Sequence, residues 1–355
     1  KVMAIRKKKA TKKKVAKKTT AKNVGKKASE RKSAKQPKVP DLIYAQASPI
    51  SLGGISMFDV QEQISADVAM NFASEDDVIM RAMNRLIDAG FEVLDANQFT
   101  INIAGSPATY RKAFKADIVA EERPVIKEGA VETTATFLEC PDTPIPGLIE
   151  TKNTRFADVL EGVALEEPRY FMAASAFAPT KSYWHLDVPA GVSLGVNAER
   201  AHRAGITGKG VKVVMVDSGW YKHPFFVKRG YRAGPVVLGP STTDPLNDAS
   251  GHGTGESANV FAVAPDVDFQ MVKINFVNSV GAFNAAVALN PDIISCSWGS
   301  SNRNGPLSAA DQTLATSVAN AVASGITVVF AAGNGHWGFP GQHPDVISAG
   351  GVYMR

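Results

Sequence analysis

Three polar residues in the C-terminal half of the chain stand in short glycine-rich motifs. Asp217 lies in Val-Asp-Ser-Gly, His252 in Ser-Gly-His-Gly-Thr-Gly, and Asn334 in Ala-Ala-Gly-Asn-Gly. A carboxylate can fix the tautomer of an imidazole, and the imidazole can then take a proton from a hydroxyl group. A side-chain amide can donate a hydrogen bond to the oxyanion that develops during acyl transfer. These residue types therefore supply parts of a nucleophilic acyl-transfer site, provided that the fold brings them together.

Each of these residues also has a structural interpretation when it is taken alone. Asp217 and Asn334 could be turn residues, and a single histidine is most often structural. The other five histidines lack flanking glycines, and we interpret them as structural or surface residues: His185, His202, His223, His336 and His343. The combination of the three motifs favours the catalytic interpretation.

Apolar segments predict the elements that must position these residues. Strand-like runs occupy residues 211–216, 269–274, 293–296 and 326–330. Apolar residues at three- and four-residue spacings from Leu307 to Val322 predict a helix between the last two runs. This alternation is typical of an α/β fold whose parallel sheet is covered by helices on both faces. Ligands bind such sheets beyond the carboxyl ends of the strands, where Asp217 and Asn334 are placed.

The three motifs, in this order, resemble those of the subtilisin-like serine proteases. Further similarity lies in Gly-Ile-Thr-Gly-Lys-Gly from Gly205, in Ala-Val-Ala-Pro ending at Pro265, and in Ser-Cys-Ser-Trp-Gly ending at Gly299. The resemblance covers residues 184–355. It implies a subtilisin-like parallel sheet, incomplete at its C-terminal end, and a serine endopeptidase activity on peptide or protein substrates.

The resemblance also implies roles for individual residues. Asp217 would orient His252, His252 would act as general base, and Asn334 would stabilise the oxyanion. The substrate-binding residues would be Ser297, Trp298, Gly299, Ala332 and Gly333. Trp298 has simple core packing as its alternative. No metal is needed for this chemistry and no cofactor is identifiable; structural calcium is compatible with the family, but no acidic loop spacing identifies a site.

The nucleophilic serine of the family is not found. It lies in a Gly-Thr-Ser motif several dozen residues beyond the oxyanion Asn, whereas 21 residues follow Asn334 here. Ser348 is the only serine among them, and its context resembles a core strand. We expect the nucleophile in a complementing C-terminal segment, separated either by truncation or by a cut after Arg355, and we expect this chain alone to be inactive. A catalytically inactive pseudoprotease that binds partners is the alternative.

A smaller domain is predicted ahead of the catalytic part. A strand-like Ile64–Phe72, an amphipathic helix after Ser74, strand-like residues 91–94 and 99–103, and a helix at 108–114 give the pattern β-α-β-β-α-β. This pattern resembles the ferredoxin-like α+β prodomains of subtilisin-like proteases, which assist folding and block the cleft in cis. An independent binding module is the alternative.

The composition predicts four parts of the chain. Residues 1–38 hold 17 Lys and Arg and one acidic residue, so they form a basic tail that should be disordered. A prodomain at 39–120, a polar, irregular linker with the processing site at 121–182, and the catalytic domain at 183–355 follow. The tail could bind nucleic acid or an anionic surface, or it could simply solubilise the protein.

The remaining features exclude two classes of protein. Only two cysteines are present, so there is no disulfide framework. No apolar run is long enough to span a membrane and no signal peptide is visible, which predicts a soluble protein and favours the cytoplasm over secretion.

Overall fold

The computed structural model describes residues 37–60, 63–128, 131–172, 186–301, 306–334 and 338–351. The basic tail predicted at 1–38 lies almost entirely outside them. The described residues belong to one compact unit, Gln36–Arg355. Among them, no helix combines the length and the apolar character that a membrane crossing requires.

The first half of the described chain is built on an antiparallel sheet. Its elements are β1 (Ile43–Pro49), α1 (Asp76–Asp88), β2 (Glu92–Ala96), β3 (Ile101–Gly105), α2 (Pro107–Phe114), β4 (Val119–Glu128), β5 (Val131–Glu139), β6 (Leu148–Glu150), β7 (Leu160–Leu165) and β8 (Tyr170–Phe171). The sheet has the order β2-β3-β1-β7-β6. Helix α1 buries Ile79, Ala82 and Leu86 in the core of this sheet, as its apolar spacing predicts.

The first strand of this sheet is not where the sequence predicts it. Residues Ile64–Phe72 contain turns and end in a 3-10 helix at Ala69–Phe72, whereas β1 lies at Ile43–Pro49. Strand β1 pairs on both sides, with β3 and β7, and its apolar residues alternate at positions 43, 45 and 47. Gln46, on the other face, is buried because that face packs on the second half of the chain, where Gln46 Nε2 lies 3.5 Å from Asn278 Oδ1. The apolar residues of 64–72 instead pack in a separate cluster with helix residues from the second half of the chain.

The prediction of an irregular linker at 121–182 is also wrong for much of that range. Strands β4 and β5 form a two-stranded antiparallel hairpin, and β7 is a buried strand paired with β1. The hairpin was not predicted because its first strand is largely polar. Arg123 of this strand, for example, forms ion pairs with Glu121 and Glu139. Strand β7, which lies within the range predicted to be a linker, completes the β-α-β-β-α-β pattern.

The second half of the described chain is an α/β layer structure. Its elements are α3 (Ala190–Gly195), α4 (Ala198–Arg203), β9 (Lys212–Asp217), α5 (Pro224–Arg229), β10 (Val237–Leu238), α6 (His252–Val263), β11 (Asp268–Lys273), α7 (Ser279–Ala288), β12 (Ile293–Cys296), β13 (Trp298–Ser301), α8 (Ala309–Ala323), β14 (Thr327–Ala331), β15 (Gly338–Phe339) and β16 (Ile347–Ala349). Six strands form a parallel sheet in the order β10-β11-β9-β12-β14-β16. The predicted parallel sheet is therefore confirmed.

Helices cover both faces of the parallel sheet. On one face, Phe283 of α7 and Leu314 of α8 pack in one buried cluster with Val216 and Phe330 of the sheet. On the other face, Phe261 of α6 packs with the sheet residues that alternate with that set. The strands read as nearly continuous apolar runs because both of their faces are buried.

The antiparallel sheet packs against the N-terminal part of α7. Asn102 of β3 and Asn278, the N-cap of α7, exchange two side-chain hydrogen bonds of 3.1 and 2.9 Å. A β-carbon at Gly281 would lie 2.2 Å from Asn102 Nδ2, so only glycine permits this approach. A third sheet, β15-β13-β8, brings a strand of each half into direct pairing.

Candidate active site

Asp217 and His252 meet at the carboxyl edge of the parallel sheet. Asp217 is the last residue of β9 and is fully buried, and His252 is the first residue of α6. His252 Nδ1 lies 2.8 Å from Asp217 Oδ1, which also accepts a 2.7 Å hydrogen bond from the Ser218 amide. The geometry places the imidazole proton on Nδ1 and leaves Nε2 as the basic nitrogen. Within the described residues, Nε2 has no well-formed hydrogen bond.

The glycines around His252 are required by this contact. Gly251 has a φ of +73° and precedes the helix as its N-cap. A β-carbon on Gly253 would lie 2.4 Å from the carbonyl oxygen of Gly219 and 3.0 Å from Asp217 Oδ1. The tight packing of α6 on the end of β9 therefore fixes the distance between the carboxylate and the imidazole.

The electrostatic environment favours a charged imidazole. Burial of His252 opposes the charged form, but the hydrogen bond and negative charge of Asp217 outweigh it, so the pKa of His252 is raised. Glu256, one turn later on α6, adds a further negative charge near the ring. Burial in turn raises the pKa of Glu256. Glu256 was not among the site residues predicted from the sequence.

A strand from the first half of the chain lies beside this pair. Phe171 pairs with Trp298 and Tyr170 with Gly299 in an antiparallel ladder between β8 and β13. The Met172 amide donates a 2.7 Å hydrogen bond to the carbonyl oxygen of Ser297. The predicted substrate-binding residues 297–299 therefore hold an extended segment of this same chain.

The side chains of this segment contact the site directly. The Phe171 ring stacks on His252, with ring centroids 4.8 Å apart. Met172 is buried, and its Cε would lie 3.1 Å from a β-carbon at Gly299 and 3.5 Å from one at Gly338. Small residues thus form the surface that the methionine side chain occupies.

The other predicted substrate-binding residues lie around the same surface. The Ala332 oxygen would be 3.5 Å, and Gly333 Cα 3.6 Å, from a β-carbon at Gly338. Trp298 is buried and its Nε1 donates a 2.9 Å hydrogen bond to the Val216 carbonyl oxygen, beneath the end of β9. Trp298 thus has the core packing that the sequence left as its alternative, while its main chain belongs to the ladder.

Asn334 lies at the same edge of the sheet. It follows the end of β14 by three residues, beyond Gly333, whose φ of +107° bends the chain. Strand β14 is separated from β9 by β12 alone. The fold therefore brings Asp217 and His252 into contact and places Asn334 at the carboxyl edge of the same sheet, just beyond a strand that lies two positions from β9.

Three other histidines have structural contacts. His343 Nε2 lies 2.9 Å from the Ile64 carbonyl oxygen, His202 Nε2 lies 2.7 Å from that of Val263, and His223 caps α5. Residues 185 and 336 lie outside the described residues. Among the residues that the structure does describe, no three His, Cys, Asp or Glu side chains are grouped as a metal site.

The residues that sequence reasoning missed belong to the extended segment 169–172, which pairs with residues 297–299 beside the Asp217–His252 pair. Arg169, Phe171 and Met172 pair with residues more than a hundred positions away, and such pairing leaves no periodic pattern. One local signal was available, because the run Tyr-Phe-Met is followed by Ala-Ala-Ser within the range predicted to hold the processing site.

Comparison with known proteins is consistent with this geometry. Residues 208–354 match the model of the Subtilase family. The chain is 33% identical over 189 residues to subtilisin E of Bacillus subtilis (strain 168), which covers 46% of each protein. It is 32% identical over 184 residues to a thermostable alkaline protease of Halalkalibacterium halodurans, covering 46% of this chain and 47% of that protein. The chain thus spans about half the length of the curated relatives it matches.

Two solved structures are also similar. MycP1 from Mycobacterium smegmatis aligns with a TM-score of 0.34 at 18% identity, over 47% of this chain and 50% of that one. A lanthipeptide protease aligns with a TM-score of 0.37 at 19% identity, over 44% and 53%. In sequence, this part of the chain resembles subtilisin-like serine proteases.

Proposed function

We propose, from the subtilase match at 208–354, that this chain supplies the Asp-His pair and the substrate-binding strand of a serine endopeptidase precursor. The observation that carries the proposal is the pairing of residues 170–172 with residues 297–299, directly beside the hydrogen bond between Asp217 and His252. An extended peptide held in this way presents its main chain to the catalytic base.

The proposed reaction is hydrolysis of a peptide bond through an acyl-enzyme. His252 Nε2 takes the proton of a serine hydroxyl as that oxygen attacks the peptide carbonyl, and later gives a proton to the leaving amine. Asp217 keeps Nδ1 protonated and stabilises the imidazolium that forms. The Asn334 amide donates to the oxyanion of the tetrahedral intermediate.

The serine nucleophile is proposed to lie in a segment outside these 355 residues. Ser348 belongs to β16, paired in parallel with β14, where it serves as a strand residue. The segment that carries the serine would have to place its hydroxyl within hydrogen-bond distance of His252 Nε2.

The antiparallel-sheet half is proposed to act as a prodomain that blocks the cleft in cis. Met172 occupies the position of a residue before a scissile bond, because its amide is bound by Ser297 and its side chain fills the surface near Gly299. We therefore place the processing site between Met172 and Ala173. This assignment narrows the range 121–182 to one peptide bond.

Fluorophosphonate labelling of the full-length protein tests the function. After removal of the prodomain, we expect one serine beyond residue 355 to be modified, with a new N-terminus at Ala173 found by mass spectrometry. The His252→Ala variant should lose labelling and about a millionfold in turnover. The matched control is His202→Ala, which removes a half-buried imidazole of α4 that contacts the Val263 carbonyl at the other end of α6, and it should label normally.

A wild-type protein that folds, is freed of its prodomain and labels at no serine would overturn the proposal. That result would support the pseudoprotease alternative, in which the same cleft binds a peptide without cleaving it. Labelling together with a new N-terminus elsewhere would overturn only the processing site.

A further inference from the structure

Arg169 is a fully buried cation just before the strand that occupies the cleft. Its Nη1 lies 3.0 Å from Asp311 Oδ1, and its Nε donates a 2.8 Å hydrogen bond to Ser279 Oγ. The side chains of Arg169 and Asp311 are both 0% exposed. Burying a guanidinium so completely requires a partner charge, and Asp311 supplies it from the second half of the chain.

The register of the cleft strand defines where this cation sits relative to the chemistry. The ladder runs from Gly299 opposite Tyr170 to Ser297 bound to the Met172 amide. Arg169 therefore comes three residues before Met172, the residue that the proposed function places before the cleaved bond. An extended substrate in the same register would place its corresponding side chain between Ser279 and Asp311.

The acidic residues around Arg169 divide between the two halves of the molecule. Glu166, 3.6 Å from Arg169 Nε, and Glu167, bound by Ser308 Oγ, precede the processing site and would leave with the prodomain. Asp311 is in the first turn of α8 and Ser279 is the first residue of α7, so both stay. The first turn of a helix is a favourable place for a negatively charged side chain.

We infer that Ser279 and Asp311 form a specificity pocket that selects an arginine side chain three residues before the cleaved bond. This inference rests on the proposed function, since it assigns the substrate class of the same cleft. Residues 169–172, Arg-Tyr-Phe-Met, are then the first sequence that the enzyme recognises.

The two contacts of Arg169 explain why arginine fits better than other residues. The guanidinium donates a hydrogen bond to Ser279 through Nε and forms an ion pair with Asp311 through Nη1, two points that a single ammonium group cannot reach together. A neutral side chain would leave the Asp311 carboxylate buried without a counter-charge, which is costly. The order of preference should be arginine, then lysine, then citrulline or glutamine.

A substrate series on the active full-length enzyme tests this order without any mutation. The probes are internally quenched peptides with X-Tyr-Phe-Met-Ala-Ala, where X is arginine, lysine, citrulline or glutamine. We expect kcat/KM for arginine to exceed that for citrulline, which has the same shape and no charge, by at least about thirtyfold. Arginine should exceed lysine by about tenfold.

Variants assign the preference to the pocket. Asp311→Asn should reduce the arginine-to-citrulline ratio to within about threefold, because the charge that distinguishes the two side chains is gone. Asp268→Asn removes the same charge from an exposed residue at the other end of the sheet, and it should leave the ratio intact. If Asp311→Asn does not fold, Ser279→Ala should still lower the ratio of arginine to lysine.

The outcomes separate this inference from the function on which it rests. Equal cleavage of the arginine and citrulline peptides by the wild-type enzyme would overturn the pocket and leave the endopeptidase intact. Failure to cleave any peptide of the series, or casein, together with absence of fluorophosphonate labelling, would overturn the proposed function itself.

Discussion

The hydrogen bond between Asp217 and His252 determines which imidazole nitrogen carries the proton in the neutral ring. It also influences the pH at which the charged ring loses its second proton, from Nε2. Asp217 is buried beneath the ring, so solvent screens its charge poorly. The pKa of His252 is raised because this charge and hydrogen bond outweigh burial. As a general base His252 must be neutral, so the rate should increase as the pH rises through this raised pKa.

The Asp217→Asn variant should separate the two effects of the carboxylate. We expect turnover to fall by about four orders of magnitude, because the amide favours the wrong tautomer. The remaining activity should show its acidic limb at lower pH, because the charge that raises the pKa of His252 is gone. The measurement is kcat/KM against pH, with exposed Asp266→Asn as the charge control; an unmoved acidic limb would contradict this account.

Among individual residues, the sequence predicted those that are flanked by recognisable motif residues along the chain. Asp217 and His252 carry their glycines and small residues beside them, because close packing of β9 on α6 demands them. Met172 and Arg169 have no local sequence pattern of this kind. Their positions depend on pairing with residues that are distant in the sequence. The stacking of the Phe171 ring on His252 arises only in the assembled fold, so no local sequence pattern predicts it.

Helix α6 contains two glycines, Gly253 and Gly255, and only one of them is required by packing. Gly253 lies where the helix touches the chain after β9, whereas a β-carbon on Gly255, two residues later, would meet no atom within 4 Å. Both residues lower the intrinsic stability of the helix by about 1 kcal/mol relative to alanine. Only Gly253 has a packing reason to be there.

Substitution of each glycine by alanine should therefore have opposite effects. Gly253→Ala should lower the free energy of unfolding by about 1–3 kcal/mol and reduce activity, because it pushes His252 away from Asp217. Gly255→Ala should raise the free energy of unfolding by about 1 kcal/mol with activity unchanged. Thermal unfolding and kcat of the two variants are the measurements, and similar changes in both would refute the assignment.

Elements with strong local patterns were predicted well, and elements defined by pairing were not. Helix α1 and the parallel strands have the periodicity that burial on one or both faces requires. Strand β1 contains Gln46 and Ser48, which are buried through contacts with residues far along the chain, Gln46 with Asn278 and Ser48 with Glu161. The apolar residues of 64–72 are buried against α8 in a segment of turns. Apolar periodicity alone does not distinguish such a segment from a strand.

At the scale of the whole molecule, the two halves share buried charge. Glu167 contacts Ser308 and lies near Asp311, and burial together with the Asp311 charge raises the pKa of Glu167 to about 8. Arg169 partly offsets this increase. Docking of the two halves therefore takes up a proton at neutral pH.

The proteolytically separated complex should accordingly weaken as the pH rises. In the released prodomain the Glu167 carboxyl regains its ordinary pKa of 4.5, so between pH 4.5 and about 8 the docked form holds the extra proton. Affinity should fall by up to about tenfold per pH unit in this window and level off above it. The measurement is the inhibition constant of the prodomain against pH.

The Glu167→Gln variant mimics the protonated carboxyl, so its prodomain should bind with a much flatter pH profile and more tightly at pH 8. Glu92→Gln, at an exposed position of the outer strand β2, serves as the control and should keep the wild-type slope. A wild-type profile that is flat from pH 5 to 8 would refute the shared proton.

The strand in the cleft, β8, has only two residues, too few to stay bound by their own ladder. It is held because the docked sheet carries it, which gives it an effective concentration in the millimolar range for a short connection. Cutting after Met172 leaves that connection intact, since β8 and the sheet remain on the same fragment. We therefore expect a lag between peptide-bond cleavage and access of outside substrates, ended by dissociation or digestion of the fragment.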